Sequence, residues 1–417
     1  MFHDLHDRLD ELVIFQSLYH DDLFRTFRRL IGMVGETGID WWVAKTEYYR
    51  FVRLLYAKHT TNWTVYLRDL VLSTETPLDW YLANNVPIPR TMMDSVKREL
   101  GYLSRTASIS SAMIKQYHIN MGCGEFTGVQ GLQPDWHAYE ANLEPLFWKR
   151  MKDYKKQGSG MYARHHMFHM KRDADLDAGY VLQPARFPDP IRIGDLIGYE
   201  MQRQQVIDNT RALLAGKKAS NILLYGDAGT GKSATVKAIA NEFAGEGLRL
   251  IELSKDELHL LPGLLDELSE NPLKFILFID DLSFQENDDD FSALKAVLEG
   301  SISARSQNTV IYATSNRRHI VRETFSQREG DEIHRNDTMQ ETISLSERFG
   351  IRILFDKPNK DLYLNIVRGL AEQSGLEMDE DQLAQEAERF ALRKSGRSAR
   401  AARQLIEQLS AKQDGAL

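Results

Sequence analysis

Apolar residues in the first third of the chain recur every three or four positions. One such series comprises Leu5, Leu9, Leu12, Tyr19, Leu23, Phe27 and Leu30, and a second comprises Trp42, Tyr49, Val52 and Tyr56. This spacing places the apolar side chains on one face of a helix. Because no stretch here alternates in the manner of a strand, the pattern predicts a mainly α-helical N-terminal domain over residues 1–157.

The pattern changes after residue 190, where short apolar runs alternate with helical stretches. Five runs read as strands, at 221–225, 248–253, 274–279, 309–313 and 350–355. Such alternation predicts a parallel five-stranded sheet covered by helices, forming an α/β domain over 191–356. Residues 158–190 carry Gly and Pro with few apolar runs and are predicted to be a linker. Helical patterns return over 357–417 and predict a small C-terminal lid domain.

Composition narrows the classes of protein to consider. The 417 residues are 42% hydrophobic and 27% charged, with 52 basic and 60 acidic side chains, so no global positive field favours nucleic acid. The only cysteine, Cys123, excludes an intramolecular disulfide and any cysteine-based metal site. No signal peptide or membrane-length apolar run is present, so a cytoplasmic protein without a membrane partner is expected.

The strongest motif lies between the first of these strands and a helical stretch. Gly226 to Ser233 reads G-x-x-x-x-G-K-S, the pattern of a phosphate-binding loop. Glycines let backbone N–H groups approach phosphate closely, and the helix that follows adds its positive dipole end. Lys232 would reach the outer phosphates of ATP, and the Ser233 hydroxyl would hold Mg²⁺. The predicted nucleotide-contacting residues are Gly226, Asp227, Ala228, Gly229, Thr230, Gly231, Lys232, Ser233 and Ala234.

Polar side chains follow two further predicted strands. Asp280 and Asp281 end a fully apolar run, and Asn316 follows the fourth strand. At the carboxyl ends of parallel strands, Asp280 would hold Mg²⁺ and Asp281 would orient or deprotonate the attacking water. Asn316 would hydrogen-bond that water or the γ-phosphate. A helix cap at the aspartates and a surface turn at Asn316 are the alternatives.

Three features near residues 120–172 also invite a functional interpretation. His165, His166 and His169 have the spacing of one helical turn, although no carboxylate or cysteine completes a metal site. Cys123 lies between two glycines without a partner that would activate it. A basic and aromatic stretch would suit single-stranded nucleic acid, with a solvated helix face as the alternative. It comprises Lys149, Arg150, Lys152, Lys155, Lys156, Arg164, Lys171 and Arg172, interleaved with Trp148, Tyr154, Tyr162 and Phe168.

Taken together, residues 191–409 resemble an AAA+ ATPase, and specifically the bacterial ATP-binding family catalogued as DUF815. The stretches that carry the resemblance are 195–200, 226–233, 248–252, 280–284, 313–319, 344–350 and 395–400. The resemblance implies that Ile197, Gly198 and Tyr199 line the adenine pocket and that Asn316 is the first sensor. It also implies that Arg348 is an arginine finger acting on a neighbouring subunit and that Arg400 is the second sensor, with Arg397 as the alternative.

Two departures from the AAA+ pattern bear on the activity. Most of these enzymes place glutamate after the metal-binding aspartate, whereas Asp281 is one methylene shorter, so the attacking water would have to lie closer or hydrolysis would be slow. Residues 254–265 also lack the aromatic-apolar-glycine loop with which protein-threading rings grip a substrate.

The sequence therefore predicts a Mg²⁺-dependent ATPase that assembles into a homo-oligomeric ring through Arg348. It would remodel a protein or nucleic-acid client held by the helical domain. A DNA-associated loader or initiator is an alternative, on account of the basic stretch. A nucleotide-gated binding protein with little turnover is another, on account of Asp281.

Overall fold

The chain folds into two compact units, Met1–Arg164 and His165–Leu417. The structure is a computed structural model that describes residues 2–35, 41–120, 136, 138, 141–282, 289–299, 307–316, 346–394 and 396–414. Cys123 lies outside these residues. In the part of the chain so described, no helix has both the length and the apolar character needed to cross a membrane.

The first unit is helical in its described parts, as its apolar spacing predicts. Its centre is aromatic: the rings of Phe27 and Trp63 stack with centroids 4.1 Å apart, and Phe51 meets Trp63 edge-on. Asn62 caps the fourth helix by accepting a hydrogen bond from the backbone N–H of Val65. The helices are α1 (Phe2–Asp10), α2 (Asp22–Gly35), α3 (Trp41–Ala57), α4 (Trp63–Ser73), α5 (Leu78–Ala83), α6 (Arg90–Ala107), α7 (Ser111–Asn120), α8 (Leu143–Lys152), α9 (Tyr154–Gln157) and α10 (Gly160–Arg164).

A buried carboxylate fixes the loop that follows α1. Glu99 of α6 has no exposed surface. One of its oxygens accepts from Val13 N at 3.1 Å, and the other accepts from Ile14 N at 3.0 Å and Phe15 N at 3.2 Å. Three N–H donors satisfy the charge and compensate for its removal from water.

The second unit is built on a seven-stranded sheet, so the predicted count of five is too low. The five predicted strands are present and parallel, in the order β4-β5-β6-β3-β7, and β1 and β2 extend the sheet beyond β4. The strands are β1 (Met167–Arg172), β2 (Tyr180–Pro184), β3 (Ile222–Gly226), β4 (Leu248–Leu253), β5 (Lys274–Ile279), β6 (Thr309–Ser315) and β7 (Ile351–Phe355).

Both additional strands lie in the segment 158–190 that the sequence predicts to be a linker. β1 runs parallel to β4, and β2 pairs antiparallel with β1 at the edge of the sheet. β1 ends in polar and basic residues, and its pairing partner lies about eighty positions further along the chain. The backbone hydrogen bonds to β4 therefore make this segment a strand, and the local apolar pattern does not reveal them.

Helices flank the sheet, and three more follow β7 in the described part of the segment 357–417 that the sequence predicts to be a lid domain. Asn359 caps the first lid helix by accepting from Leu362 N, and Gly375 ends it in the left-handed conformation. Outside the lid lie α11 (Glu200–Leu214), α12 (Lys232–Phe243), α13 (Leu261–Ser269) and α14 (Asp289–Glu299). The lid consists of α15 (Lys360–Ser374), α16 (Glu380–Arg393) and α17 (Ala399–Asp414).

Candidate nucleotide site

The glycine loop connects β3 to α12 at the carboxyl edge of the sheet. Gly226 has φ +125°, and a Cβ atom there would lie 2.3 Å from the backbone oxygen of Phe355. Gly229 has φ +75°, and its Cβ would lie 3.1 Å from Cβ of Arg400. Only glycine fits both conformations and both approaches, so the loop's course depends on these two residues.

Lys232, the first residue of α12, points its ammonium back into this loop. Its Nζ donates to the backbone oxygens of Gly226 at 3.1 Å and Asp227 at 2.7 Å, and to Oδ1 of Asn316 at 3.0 Å. Burial lowers the pKa of Lys232, and the charges of Asp227, Asp280 and Asp281 oppose that shift. The ammonium is held by neutral acceptors that a phosphate oxygen would replace.

The tip of β5 meets the start of α12 through Asp280. Its Oδ1 accepts from the Ser233 hydroxyl at 2.6 Å and from the Thr314 hydroxyl at 2.5 Å. The Asp280 side chain is exposed, unlike the apolar strand residues that precede it. A hydroxyl and a carboxylate in contact form a set of hard oxygen donors, which suits Mg²⁺ bound together with phosphate oxygens.

Asn316 connects Asp281 to Lys232. Its Nδ2 donates to Oδ1 of Asp281 at 2.8 Å, while its Oδ1 accepts from Lys232. The strand order explains the contact, because β6 lies between β5 and β3. Asp281 itself has φ +53°, a left-handed conformation that is uncommon for a residue other than glycine.

The predicted adenine-pocket residues lie between the sheet and the first lid helix. Ile197 packs on Gly369 of α15, whose Cβ, if present, would lie 2.5 Å from Ile197 Cδ1. Tyr199 is buried, and its hydroxyl donates to the backbone oxygen of Asp356 at 2.6 Å. Burial raises the pKa of Tyr199 to about 12, and the charges of Asp227 and Asp356 add to the shift. Gly198 turns the chain at φ +75° beside α15.

The two lid arginines occupy different environments. The backbone N–H of Arg400 donates to the oxygen of Gly229 at 3.1 Å, which places the start of α17 on the phosphate loop. Arg397 forms a two-point pair with Glu388, with Nε to Oε1 at 3.0 Å and Nη2 to Oε2 at 2.7 Å. Of the two, Arg400 is the residue brought to the loop, and Arg397 is engaged within the lid.

Arg348 lies at the opposite end of the strands from the glycine loop of its own chain. It precedes β7, whose first residue pairs with Ile222 at the start of β3. Since β7 and β3 are parallel, Arg348 is at their amino ends, and the glycine loop follows the carboxyl end. A five-residue strand spans about 13 Å between its first and last Cα.

The histidine group does not form the helical arrangement that its spacing suggests. His169 is in β1 and His166 directly precedes it. His166 Nε2 lies 2.8 Å from Oδ1 of Asn241, and His169 Nδ1 lies 3.8 Å from a carboxylate oxygen of Glu252. Among the described residues, no group of three or more His, Cys, Asp or Glu could hold a metal ion.

The aromatic and basic members of the stretch at 148–172 differ in burial. Tyr154, Tyr162 and Phe168 are 5%, 8% and 0% exposed, so these rings are core residues rather than a stacking surface. The exposed members of the stretch are cationic, and they include Lys149, Lys152, Lys155 and Lys156. The expectation that these aromatic rings stack on nucleic-acid bases is therefore wrong for these three residues.

Thr314 belongs to the site but is not predicted from the sequence. It is 2% exposed, and it contacts both aspartates of the β5 tip. The signal available in the sequence is its place near the end of a predicted strand, two positions before Asn316.

No curated protein matches the chain. Among solved structures, the Holliday junction branch migration motor RuvB of Thermotoga maritima is 17% identical, with a TM-score of 0.36, over 52% of this chain and 63% of the RuvB chain. A mutant of the same RuvB is 18% identical, with a TM-score of 0.39, over 55% and 68%. This chain thus spans less than two thirds of the length of the first RuvB structure, and similarity at this level carries no functional argument.

The family comparison is specific. The model described as "Protein of unknown function (DUF815)" matches residues 163–413. That range includes β1, the phosphate loop, both aspartates, Asn316 and the lid. The chain therefore belongs to the DUF815 family.

Proposed function

We propose that this protein is a Mg²⁺-dependent AAA+ ATPase that binds ATP in the loop 226–234 and hydrolyses it within an assembly of copies. One observation carries the proposal. Lys232 and Ser233 at the start of α12 contact Asn316 and Asp280 at the ends of β6 and β5, and Thr314 joins Asp280 to Asp281, so that these residues form one hydrogen-bonded network. Parallel α/β sheets bind ligands at this edge.

Each residue of the network has a role that its contacts support. The glycine loop offers backbone N–H groups to phosphate, and Lys232 exchanges the oxygens of Gly226 and Asp227 for phosphate oxygens. Ser233 and Asp280 would hold Mg²⁺, which when bound neutralises charge on the phosphate oxygens. Asp281 orients the attacking water and accepts its proton, and Asn316 positions Asp281.

The lid and the turn 197–199 would complete the nucleotide pocket. Ile197, Gly198 and Tyr199 would receive adenine, since they lie where the sheet meets α15. Arg400 would reach the phosphates from the start of α17, because its backbone is bonded to Gly229. Nucleotide binding would therefore be sensed directly by the lid.

Hydrolysis would require a second copy of the chain. Arg348 lies at the amino ends of β3 and β7, too far to serve the loop at their carboxyl ends within the same molecule. A guanidinium can bind two phosphate oxygens at once, so Arg348 delivered by a neighbouring copy would stabilise the transition state. The assembly would act in the cytoplasm on a client held by the helical unit.

A nucleotide-gated binding protein is the second candidate. Asp281 is one methylene shorter than the usual glutamate, so its carboxylate reaches less far towards an attacking water. Tight ATP binding without phosphate release at any protein concentration would favour this candidate.

Steady-state phosphate release tests the ATPase proposal. Lys232→Ala and Arg348→Ala should each lower turnover by about 100-fold, the loss seen when one group that stabilises transition-state charge is removed. Arg352→Ala is the matched control, because Arg352 is an exposed arginine of β7 four residues after Arg348. Turnover unaffected by both Lys232→Ala and Arg348→Ala would refute the proposal.

Mixing two inactive variants tests the trans arrangement. Asp281→Asn retains Arg348, and Arg348→Ala retains an intact nucleotide site. If Arg348 acts on a neighbouring copy, an equimolar mixture should recover turnover that neither variant shows alone. A mixture no more active than the average of its components would contradict action of Arg348 on a neighbouring copy.

A further inference from the structure

We infer that Thr314 is a positioning residue whose hydroxyl group sets the geometry of Asp280 and Asp281. The inference rests on the proposed function, since it names a determinant of the same site. It follows from three contacts that Thr314 makes with three consecutive residues, Asp280, Asp281 and Leu282.

The hydroxyl of Thr314 is both a hydrogen-bond donor and a hydrogen-bond acceptor. It donates to Oδ1 of Asp280 at 2.5 Å and accepts from the backbone N–H of Asp281 at 2.9 Å. A hydroxyl has one proton and two lone pairs, so both bonds form at once. With the side chain 2% exposed, water cannot readily replace either bond.

The main chain of Thr314 adds a third bond. Its carbonyl oxygen accepts from the N–H of Leu282 at 2.7 Å. Asp281 lies between these attachments in its left-handed conformation, with φ +53°. Such a conformation is disfavoured for aspartate and persists only where surrounding contacts enforce it. Thr314 provides the contacts on both sides.

The consequence reaches the Asp281 carboxylate. Its backbone is set by Thr314, and its Oδ1 is held by Asn316 Nδ2 at 2.8 Å. Asp281 is therefore held from the carboxyl end of β6, by Thr314 within the strand and by Asn316 directly after it. Because Asp281 has one methylene fewer than glutamate, it reaches less far and tolerates less displacement. The hydroxyl at 314 thereby becomes a determinant of turnover.

Hydrogen exchange in the ligand-free protein gives the first test. Thr314→Val keeps the side-chain shape but removes the hydroxyl, so the amide of Asp281 should exchange at least about tenfold faster. Thr314→Ser should retain slow exchange. Thr210→Val is the matched control, because Thr210 is fully buried and its hydroxyl contacts Tyr312 and Val206 away from the β5 tip. Unchanged exchange in Thr314→Val would overturn the inference.

Nucleotide measurements give the second test. Thr314→Val should raise the Mg²⁺ concentration needed for half-maximal binding of a fluorescent ATP analogue, and it should lower kcat by about 10- to 100-fold. Thr314→Ser should restore both. In an Asp281→Asn background the added Thr314→Val change should lower kcat little further, whereas a general structural effect would multiply the two losses.

These measurements separate the two proposals. A wild-type protein that binds the analogue without turnover refutes hydrolysis, while the exchange and Mg²⁺ results still decide the role of Thr314. A wild-type protein that turns over ATP normally while Thr314→Val matches it in all three measurements refutes only the role of Thr314.

Discussion

Two carboxylates, Glu99 in the helical unit and Asp280 in the sheet unit, are each satisfied by hydrogen-bond donors but differ in access. Glu99 is sealed from solvent and receives three backbone N–H groups. Asp280 is exposed and receives two hydroxyls, from Ser233 and Thr314. The first is surrounded by its own chain, whereas the second keeps a face open to solvent.

The difference in solvent exposure bears on the role of each carboxylate. Glu99 has no remaining access for a ligand, so its contribution is to the stability of the α1 loop. Asp280 has donors only on the protein side, and its open side is where a cation would bind. If Asp280 holds Mg²⁺ as proposed, its exposure at a strand end, and not its hydrogen bonding, is what distinguishes it from Glu99.

The largest effects on stability and on turnover are expected from removing the carboxylates of Glu99 and Asp280, one at a time. Glu99→Ala leaves three buried N–H groups without their acceptor and should lower the free energy of unfolding of the helical unit by about 3 kcal/mol. Turnover per folded molecule should remain unchanged. Asp280→Ala should do the reverse, abolishing Mg²⁺-dependent turnover at nearly constant stability. Thermal unfolding and phosphate release, measured on both variants, check the pair.

Glu11→Ala controls for loss of a carboxylate as such, because Glu11 is exposed and pairs only on the surface with Arg8. It should change stability by less than about 1 kcal/mol. If Glu99→Ala behaved like Glu11→Ala, the sealed carboxylate would not be a stabilising element.

A smaller effect is expected from substituting the two lid arginines. Arg400 lies near the glycine loop at the start of α17, whereas Arg397, just before that helix, is paired within the lid. Arg400→Ala should lower kcat by about tenfold, since the guanidinium near the loop would lose contact with phosphate. Arg397→Ala should leave kcat unchanged, because Arg397 is paired with Glu388. Kinetics of both variants decide the assignment, and equal losses in the two would contradict it.

The smallest effect concerns pH. The hydrogen bond from Arg397 lowers the pKa of Glu388 below its ordinary value. The pair therefore contributes stability above the unfolded-state pKa of glutamate and loses it as pH falls through the lower folded-state value. Unfolding midpoints measured from pH 6 downward should fall slightly more for the wild type than for Glu388→Gln, and salt should reduce the difference. Parallel pH profiles would show that the pair contributes nothing.

The elements of the sheet that carry the site could be predicted because their signals are local. The run before Gly226, the loop itself and the apolar run before Asp280 each specify a strand and its end within a few residues. The order of the strands then brings Asn316 between Asp281 and Lys232. Spacing along the chain was enough to predict that these residues follow the ends of strands.

Long-range pairing explains what the sequence did not reveal. β1 is a strand because β4 supplies its hydrogen bonds, and β2 in turn because β1 does. Glu99 reads as an ordinary helical glutamate until residues 13–15 fold onto it. Thr314 likewise reads as a strand residue until the β5 tip lies beside it. For β1, Glu99 and Thr314 the deciding partner lies more than thirty residues away, whereas β2 pairs with residues 8 to 16 positions before it.

The bond between Arg400 N and Gly229 O joins lid and loop through main-chain atoms alone. No substitution of the Arg400 side chain removes that N–H, other than proline. This hydrogen bond between α17 and the glycine loop is therefore independent of the guanidinium. A truncated side chain at position 400 would keep the hydrogen bond and remove the positive charge. The main-chain contact and the charge of Arg400 can therefore be studied separately by substitution.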